Sequence, residues 1–128
     1  MTIKEVSKLY GLSNDTLRFY EKEGLIGPIK KTSGGIRNYD EHDLARIQFI
    51  KCMRSADLSI PVLRQYVKLY DLGKSTEKER REILVSERDK LIEKINQMNE
   101  ALERLNKKIE LYDSGKLEYL LEKKDKNE

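Results

Sequence analysis

The sequence has few of the residues that build disulfide frameworks and metal centres, since it contains one cysteine, Cys52, and one histidine, His42. A disulfide framework needs paired cysteines, and a thiolate-rich zinc site needs at least two of them. Both are excluded within one chain, and we expect no cofactor and no bound metal. A single cysteine also fits a reducing compartment.

Long apolar runs are also missing. No stretch approaches the roughly 18 apolar residues of a membrane span, and the first residues, MTIKEVSKLYG, lack the apolar run of a signal peptide. We therefore expect a soluble, cytoplasmic protein with no membrane partner. The sequence has neither a phosphate-binding loop nor a convergent set of acids and bases, so we do not expect an enzyme.

Charged residues, in contrast, are abundant: they form 38% of the 128 residues, and the mean hydropathy is −0.75. This composition suits a small helical protein with much exposed surface that is completed by oligomerisation. Residues 1–70 carry 12 Lys and Arg against 8 Asp and Glu, whereas residues 71–128 carry 14 against 15. Positive charge therefore collects mildly in the first part, as a phosphate-binding surface requires.

Two short helices are predicted near the N-terminus. Thr2 and Glu5 have the spacing of a capping box at the start of the first helix. Gly11 breaks that helix, and Ser13 is placed to cap a second helix over Asn14–Lys22. Two short helices joined by a glycine-containing turn predict a helix-turn-helix.

Two short segments around glycines follow the second helix. Residues 29–32 and 36–39 alternate in character on either side of Ser33-Gly34-Gly35. This pattern predicts a small β-hairpin, or wing. Asp40 and Ser59 are then placed to cap a third and a fourth helix.

A long helix is predicted after a capping box that begins at Thr76. Its apolar residues keep a heptad spacing for about four repeats. This seam consists of Leu84, Leu91, Ile95, Met98, Leu102, Leu105, Ile109 and Tyr112. The helix is too long to lie against its own small domain, which is the alternative, so the seam predicts a coiled coil with a second copy of the chain.

The expected fold class is therefore mainly α, in three parts. A winged helix-turn-helix domain covers residues 1–71, and a coiled-coil dimerisation helix covers residues 76–112. Residues 113–128 are expected to form a short helix, carrying Leu117, Leu120 and Leu121, and a disordered tail.

The second predicted helix carries side chains suited to DNA. Asn14 and Arg18 are four residues apart and share a face. Leu17 and Tyr20 are expected to turn toward the first helix. Asparagine pairs with adenine and arginine with guanine in the major groove, and the helix start around Ser13 and Thr16 is suited to a phosphate. The alternative is a solvated polar face on two packed helices.

The predicted hairpin adds a second set of candidates. Arg37 and Tyr39 are two residues apart and face the same way on a strand, while Lys30 and Lys31 add charge on the facing strand. A guanidinium beside a phenol makes a phosphate clamp, which positions a protein on DNA without reading bases. The alternative is a solvated hairpin edge that the lysines protect from pairing.

These motifs together resemble a known family. Thr16-Leu17-Arg18-Phe19-Tyr20-Glu21, then Gly24-Leu25-Ile26, then Gly35-Ile36-Arg37-Asn38-Tyr39 closely resemble the MerR family of bacterial transcription regulators. The resemblance is detailed over residues 1–70 and extends to the layout of the long helix.

The resemblance implies a homodimer held by an antiparallel coiled coil, with the second helix of each subunit in a major groove of a palindromic promoter. It implies distortion of that DNA so that RNA polymerase engages both promoter elements, which is compatible with the energies of DNA deformation. Under this resemblance Arg18 and Tyr20 are contacts of the recognition helix, and Arg37 and Tyr39 contact the backbone.

The sequence leaves two interpretations of Cys52 open. It shares a helical face with Ala45, Phe49 and Ala56, as a buried packing residue does. Its surroundings also resemble the subgroup of the family that responds to aldehydes and other thiol-reactive electrophiles, in which case Cys52 is a thiol sensor. His42 is expected to face solvent.

A rival hypothesis is an interaction protein, a coiled-coil adaptor whose helix-turn-helix contacts protein. It predicts no salt-dependent affinity for DNA, whereas a DNA-binding regulator weakens steeply as salt rises.

Overall fold

The computed structural model describes residues 1–116 and is mainly α-helical. Its helices are α1 (Ile3–Tyr10), α2 (Asn14–Lys22), α3 (Glu41–Ser55), α4 (Ile60–Leu72) and α5 (Glu77–Ser114), with a 3-10 turn at Lys74–Thr76. None of these helices is both long enough and apolar enough to cross a membrane. The predicted C-terminal stretch at Leu117, Leu120 and Leu121 lies outside the described residues.

Side-chain caps explain where the first four helices begin. Thr2 and Glu5 form the predicted capping box of α1, and Ser13 Oγ accepts the Thr16 amide at the start of α2. Asp40 and Ser59 accept amides at the starts of α3 and α4 in the same way. Each cap satisfies an amide that the helix leaves unpaired, so these four helix starts were predicted correctly.

Thr76, in contrast, does not open α5 with the predicted capping box. Its hydroxyl lies 2.7 Å from the Leu69 carbonyl oxygen and 2.8 Å from that of Gly73, and it accepts a hydrogen bond from Arg80 Nε at 3.0 Å. The side chain is buried and satisfies carbonyls at the end of α4. Thr76 therefore fastens the end of α4 to the start of α5, because its hydroxyl is engaged with the Leu69 and Gly73 carbonyls and with Arg80.

The predicted β-hairpin is reduced to a turn with one bridge. Residues 1–116 contain no strand, and Lys31 and Arg37 form an isolated antiparallel bridge. The Thr32 amide donates to the Ile36 carbonyl at 2.8 Å, and the Asn38 amide donates to the Lys30 carbonyl at 2.7 Å. The ladder stops there, since the Tyr39 amide donates to the Met1 carbonyl at 2.7 Å. We call residues 29–39 the hairpin loop.

A first compact unit extends from Met1 to Glu87. The largest fully buried side chains of its core are Leu17, Leu25, Ile26, Ile47, Ile50, Leu63 and Val6. Leu84 of α5 packs against this core, so the unit includes the first turns of α5 and is longer than the predicted 1–71 domain. Leu84 was predicted to begin the dimerisation seam, and the structure instead gives it a place in the packing of its own subunit.

The second unit begins at Arg88, and its described part continues α5 through Ser114. Six apolar side chains of the predicted seam are 50 to 71% exposed there: Ile95, Met98, Leu102, Leu105, Ile109 and Tyr112. Leu91 is half-buried. Repeated exposure of large apolar side chains along one helix is costly in water, and it marks a surface suited to a partner.

Candidate nucleic-acid interface

Helix α2 is anchored by one face and open on the other. Leu17 is fully buried, whereas Arg18 is exposed with 49% of its side chain accessible. Asn14, one turn before Arg18, is half-buried. The outer face therefore presents an amide and a guanidinium one helical turn apart, as the sequence predicted.

The hydroxyls at the start of α2 are already engaged with each other. Ser13 Oγ lies 2.8 Å from Thr16 Oγ1 and also accepts the Thr16 amide at 3.0 Å. Ser13 is exposed and Thr16 is half-buried. Their first role is to cap the helix, and contact with DNA is an additional role that remains a prediction.

Tyr20 does not lie on the exposed face. Its side chain is 6% exposed and belongs to the core, so the prediction that it is a direct DNA contact is not supported by its position. The reason is helical spacing, since Tyr20 is three residues after the buried Leu17 and therefore lies on the same side. Phe19, between Arg18 and Tyr20, is 43% exposed.

Arg37 of the hairpin loop is held by Glu21 of α2. Arg37 Nε donates to Glu21 Oε1 at 2.8 Å, and the two side chains are 30% and 18% exposed. The second carboxylate oxygen of Glu21 accepts the Ile29 amide at 3.3 Å. The hydrogen bond and charge of Glu21 hold the pKa of Arg37 above its ordinary value. The sequence did not predict this link between α2 and the loop, although Glu21 is part of the motif that resembles the MerR family.

A shallow groove brings the exposed cations of α2 and the loop together. Its lining includes Arg18, Lys22 and Arg37, together with the carboxylates of Glu21 and Asp71. Gly24, Gly27 and Pro28 also line it. Lys30 and Lys31 are exposed on the hairpin loop, and Lys31 takes part in the bridge. The sequence placed Arg18 and Arg37 on separate elements, and the fold makes them walls of one surface that suits a phosphate backbone.

Tyr39 was predicted to stand exposed beside Arg37, and this prediction is wrong about its exposure. The side chain is 2% exposed, and its hydroxyl is buried without a hydrogen-bond partner among the described residues. Burial, followed by the negative charge of Glu21, raises the pKa of Tyr39. The ring belongs to the hydrophobic core, and the Tyr39 amide donates to the Met1 carbonyl instead of continuing the ladder.

Cys52 lies on an exposed part of α3. It borders a shallow hollow together with Leu9, Tyr10, Gln48, Lys51 and Ser55. The Lys51 ammonium donates to the Tyr10 carbonyl and so ties α3 to α1 beside the thiol. The interpretation of Cys52 as a buried packing residue is therefore wrong. Of the residues predicted to share its face, Ala45 is exposed, whereas Phe49 and Ala56 are partly buried against the core. His42 is exposed as expected.

Within residues 1–116, no group of three or more histidine, cysteine, aspartate or glutamate side chains is placed to hold a metal ion.

The helix pair, the loop beside it and the cationic groove define a protein of the helix-turn-helix regulator class. Residues 1–81 match the sequence profile of the MerR HTH family regulatory proteins. The chain belongs to this family, whose members are DNA-binding transcription regulators.

Known relatives support this assignment. The HTH-type transcriptional regulator AdhR of Bacillus subtilis (strain 168) is 50% identical over 93 residues, which cover 73% of this chain and 66% of AdhR. The aligned segment is thus just under two thirds of that relative's length.

Solved structures show the same fold. A MerR family transcriptional regulator from Listeria monocytogenes superposes with a TM-score of 0.84 at 42% identity, over 99% of this chain and 96% of that one. HiNmlR, a MerR family regulator lacking the sensor domain and bound to promoter DNA, gives a TM-score of 0.78 over 90% of this chain and 91% of its own. At 24% identity, HiNmlR is a likeness of fold alone.

Proposed function

We propose that this protein is a homodimeric transcription regulator that binds a palindromic promoter through α2 and the hairpin loop. The observation that carries the proposal is the groove in which Arg18 and Lys22 of α2 lie beside Arg37 of the loop. Because Leu17 and Tyr20 fix α2 to the core, its opposite face is held rigidly toward any ligand. A rigid cationic face beside an exposed helix suits the DNA major groove and its flanking phosphates.

The proposed contacts divide by chemistry. Arg18, with Asn14 one turn earlier, is placed to contact base edges, because both side chains offer hydrogen-bonding groups that bases recognise. Arg37, Lys22, Lys30 and Lys31 supply charge for phosphates. The Arg18–Asp15 ion pair is 3.3 Å long with 49% and 96% side-chain exposure, so its strength is small and it does not withhold Arg18 from DNA.

A second copy of the chain is the proposed partner of α5. Apolar side chains recur along the helix from Ile95 to Tyr112 and are at least half exposed. Two such helices packed in antiparallel orientation remove these side chains from water and give a dimer with two DNA-binding surfaces. A two-fold protein matches a palindromic site, since each half-site then meets the same surface.

The regulatory step that we propose follows the family resemblance. The dimer distorts the promoter so that RNA polymerase engages both of its elements, and DNA bending of this kind costs several kcal/mol that protein contacts repay. The proposed signal is an aldehyde or other thiol-reactive electrophile that reaches Cys52. The exposure of the thiol beside the hollow between α1 and α3 supports access by such a molecule.

Fluorescence anisotropy with labelled DNA from upstream of the protein's own gene tests this function. We expect affinity to fall steeply as salt rises, because phosphate binding releases counterions. Arg18→Ala should weaken binding by about 5- to 150-fold, the range for one base-edge contact. Lys107→Ala removes the same charge at a heptad position opposite the apolar seam of α5 and is the matched control.

Absence of salt-dependent binding, or equal effects of Arg18→Ala and Lys107→Ala, would refute the proposal. The first of these outcomes would favour the adaptor hypothesis, in which the helix-turn-helix contacts protein.

A further inference from the structure

Glu21 is an acidic residue that lines a surface proposed to meet a polyanion. Its carboxylate lines the same groove as Arg18, Lys22 and Arg37. A negative charge near a phosphate backbone opposes binding, so a groove built only to attract DNA would omit it. Glu21 must therefore provide a benefit to DNA binding that exceeds this repulsion in free energy.

The hydrogen bonds of Glu21 identify that benefit. One oxygen accepts Arg37 Nε at 2.8 Å, and the other accepts the Ile29 amide at 3.3 Å. A single side chain on α2 thus holds both the beginning of the hairpin loop and the arginine after its turn. Because Glu21 is 18% exposed, its pair with Arg37 is shielded from solvent more than an ordinary surface ion pair.

The atom that Arg37 uses in this pair is also informative. Guanidinium has five N–H donors, and the bond through Nε leaves the four on Nη1 and Nη2 outside this contact. These terminal donors are the ones that form bidentate contacts with phosphate. Arg37 pinned through Nε is therefore ordered before DNA arrives, which lowers the entropy lost on binding.

We propose that Glu21 is a positioning residue, which orients Arg37 and the hairpin loop for the DNA backbone. The inference rests on the proposed function, because it requires that the groove binds DNA. Glu21 itself touches no phosphate, and it contributes to affinity in spite of its charge.

The sign of the effect on affinity separates positioning from simple charge. If Glu21 only repels DNA, Glu21→Ala binds DNA more tightly than wild type. If Glu21 positions Arg37, Glu21→Ala binds about tenfold more weakly, and the slope of log affinity against log salt falls by about one, as for Arg37→Ala. Glu21→Gln should recover part of the loss, because its amide oxygen still accepts from Arg37.

The Arg37→Ala background distinguishes positioning from damage to the fold. Without Arg37 only the repulsion of the carboxylate remains, so adding Glu21→Gln should leave affinity unchanged or strengthen it. Damage to the fold would instead weaken binding in both backgrounds. Asp15→Asn, which removes the exposed acid paired with Arg18 on the same helix, is the matched control for charge and should not weaken binding.

If the wild-type protein binds DNA and Glu21→Ala binds with equal or higher affinity, the inference is overturned while the proposed function stands. Equal weakening by Glu21→Gln in the wild-type and Arg37→Ala backgrounds would overturn it as well. If the wild-type protein shows no salt-dependent binding, the proposed function itself has failed.

Discussion

The guanidinium of Arg80, in the first turn of α5, lies 5.1 Å from the centre of the Tyr70 ring near the end of α4. Arg80 Nε also donates to Thr76 Oγ1 at 3.0 Å. Arg46 of α3 lies over the same ring at 5.3 Å. One half-exposed tyrosine thus gathers cations from two helices, and the first turn of α5 is joined to the body of the first unit.

Replacing Arg80 with alanine should lower the free energy of unfolding by about 1 to 2 kcal/mol, because a cation–π contact and a partly buried hydrogen bond are both lost. Urea denaturation at fixed protein concentration measures this loss. Arg81→Ala, at the exposed neighbouring position, should change the free energy by less than about 0.5 kcal/mol. Similar losses in the two variants would show that the Tyr70 junction contributes nothing specific.

The exposed apolar stripe of α5 predicts that Leu102→Glu weakens the dimer more than about 100-fold, because each copy would bury a carboxylate without a partner. Analytical ultracentrifugation over a range of concentrations measures the dissociation constant. Gln97→Glu adds the same charge away from the stripe and should leave the dimer intact. A wild-type protein that sediments as a monomer would contradict the dimer.

Leu84 sharpens the same experiment. Because Leu84 is half-buried against the core of its own subunit, Leu84→Ala should lower stability by about 2 kcal/mol, the low end of the range for such substitutions, without a matching change in dimer affinity. If Leu84→Ala lowers dimer affinity as much as Leu102→Ala does, Leu84 belongs to the dimer seam, as the heptad pattern predicted.

The buried hydroxyl of Tyr39 predicts that Tyr39→Phe is neutral or stabilises the protein by up to about 1 kcal/mol, because an unpaired polar atom leaves the interior. DNA affinity should stay at the wild-type value. A tenfold loss of DNA affinity would instead support the phosphate contact by Tyr39 that was predicted from the sequence.

Tyr39 also predicts a pH dependence with a definite sign. Burial raises its pKa in the folded state above the ordinary value of 10.0, so folding favours the protonated phenol. Its contribution to stability is full below pH 10 and is lost as pH rises through the folded-state pKa. Chemical denaturation above pH 10 should therefore show a steeper fall for wild type than for Tyr39→Phe, and parallel curves would contradict this assignment.

The exposed thiol predicts direct reaction with electrophiles. An aldehyde would add at Cys52 to give a hemithioacetal: sulfur bonds to the carbonyl carbon, the C=O π bond opens, and the proton lost from the thiol goes to the carbonyl oxygen. This addition needs no oxidant. Iodoacetamide should alkylate native wild-type protein at a rate comparable to that of the unfolded chain, as intact mass shows. In cells, Cys52→Ser should lose the transcriptional response to aldehyde, whereas Ser55→Ala at the same hollow should keep it. A full response in Cys52→Ser would rule out the thiol as the trigger.

Local signals in the sequence predicted most of the helical architecture. The caps at Thr2, Ser13, Asp40 and Ser59 mark helix starts correctly, because a cap depends on neighbours three residues away. The helical spacing of Leu17 and Arg18 also separated the buried face of α2 from its open face. Local contacts of this kind are encoded in a short stretch of chain.

Other features depend on contacts that the local pattern does not specify. Thr76 has a capping pattern, yet its hydroxyl lies against carbonyls of α4 and the following turn. Tyr39 has a strand pattern, yet its ring is buried in the core. Leu84 continues the heptad register, but in the structure it packs against the core of its own subunit. Periodicity identifies an apolar face without naming the surface that covers it.

Residue type and spacing specify the helix-turn-helix, the cations of the groove and the apolar stripe of α5, so these features follow from the sequence alone. Only the tertiary structure brought Glu21 to Arg37 across sixteen residues of chain and placed Cys52 at the surface. The reason is physical: an ion pair between distant residues and the exposure of a thiol depend on how helices pack, and packing is settled by the whole core at once.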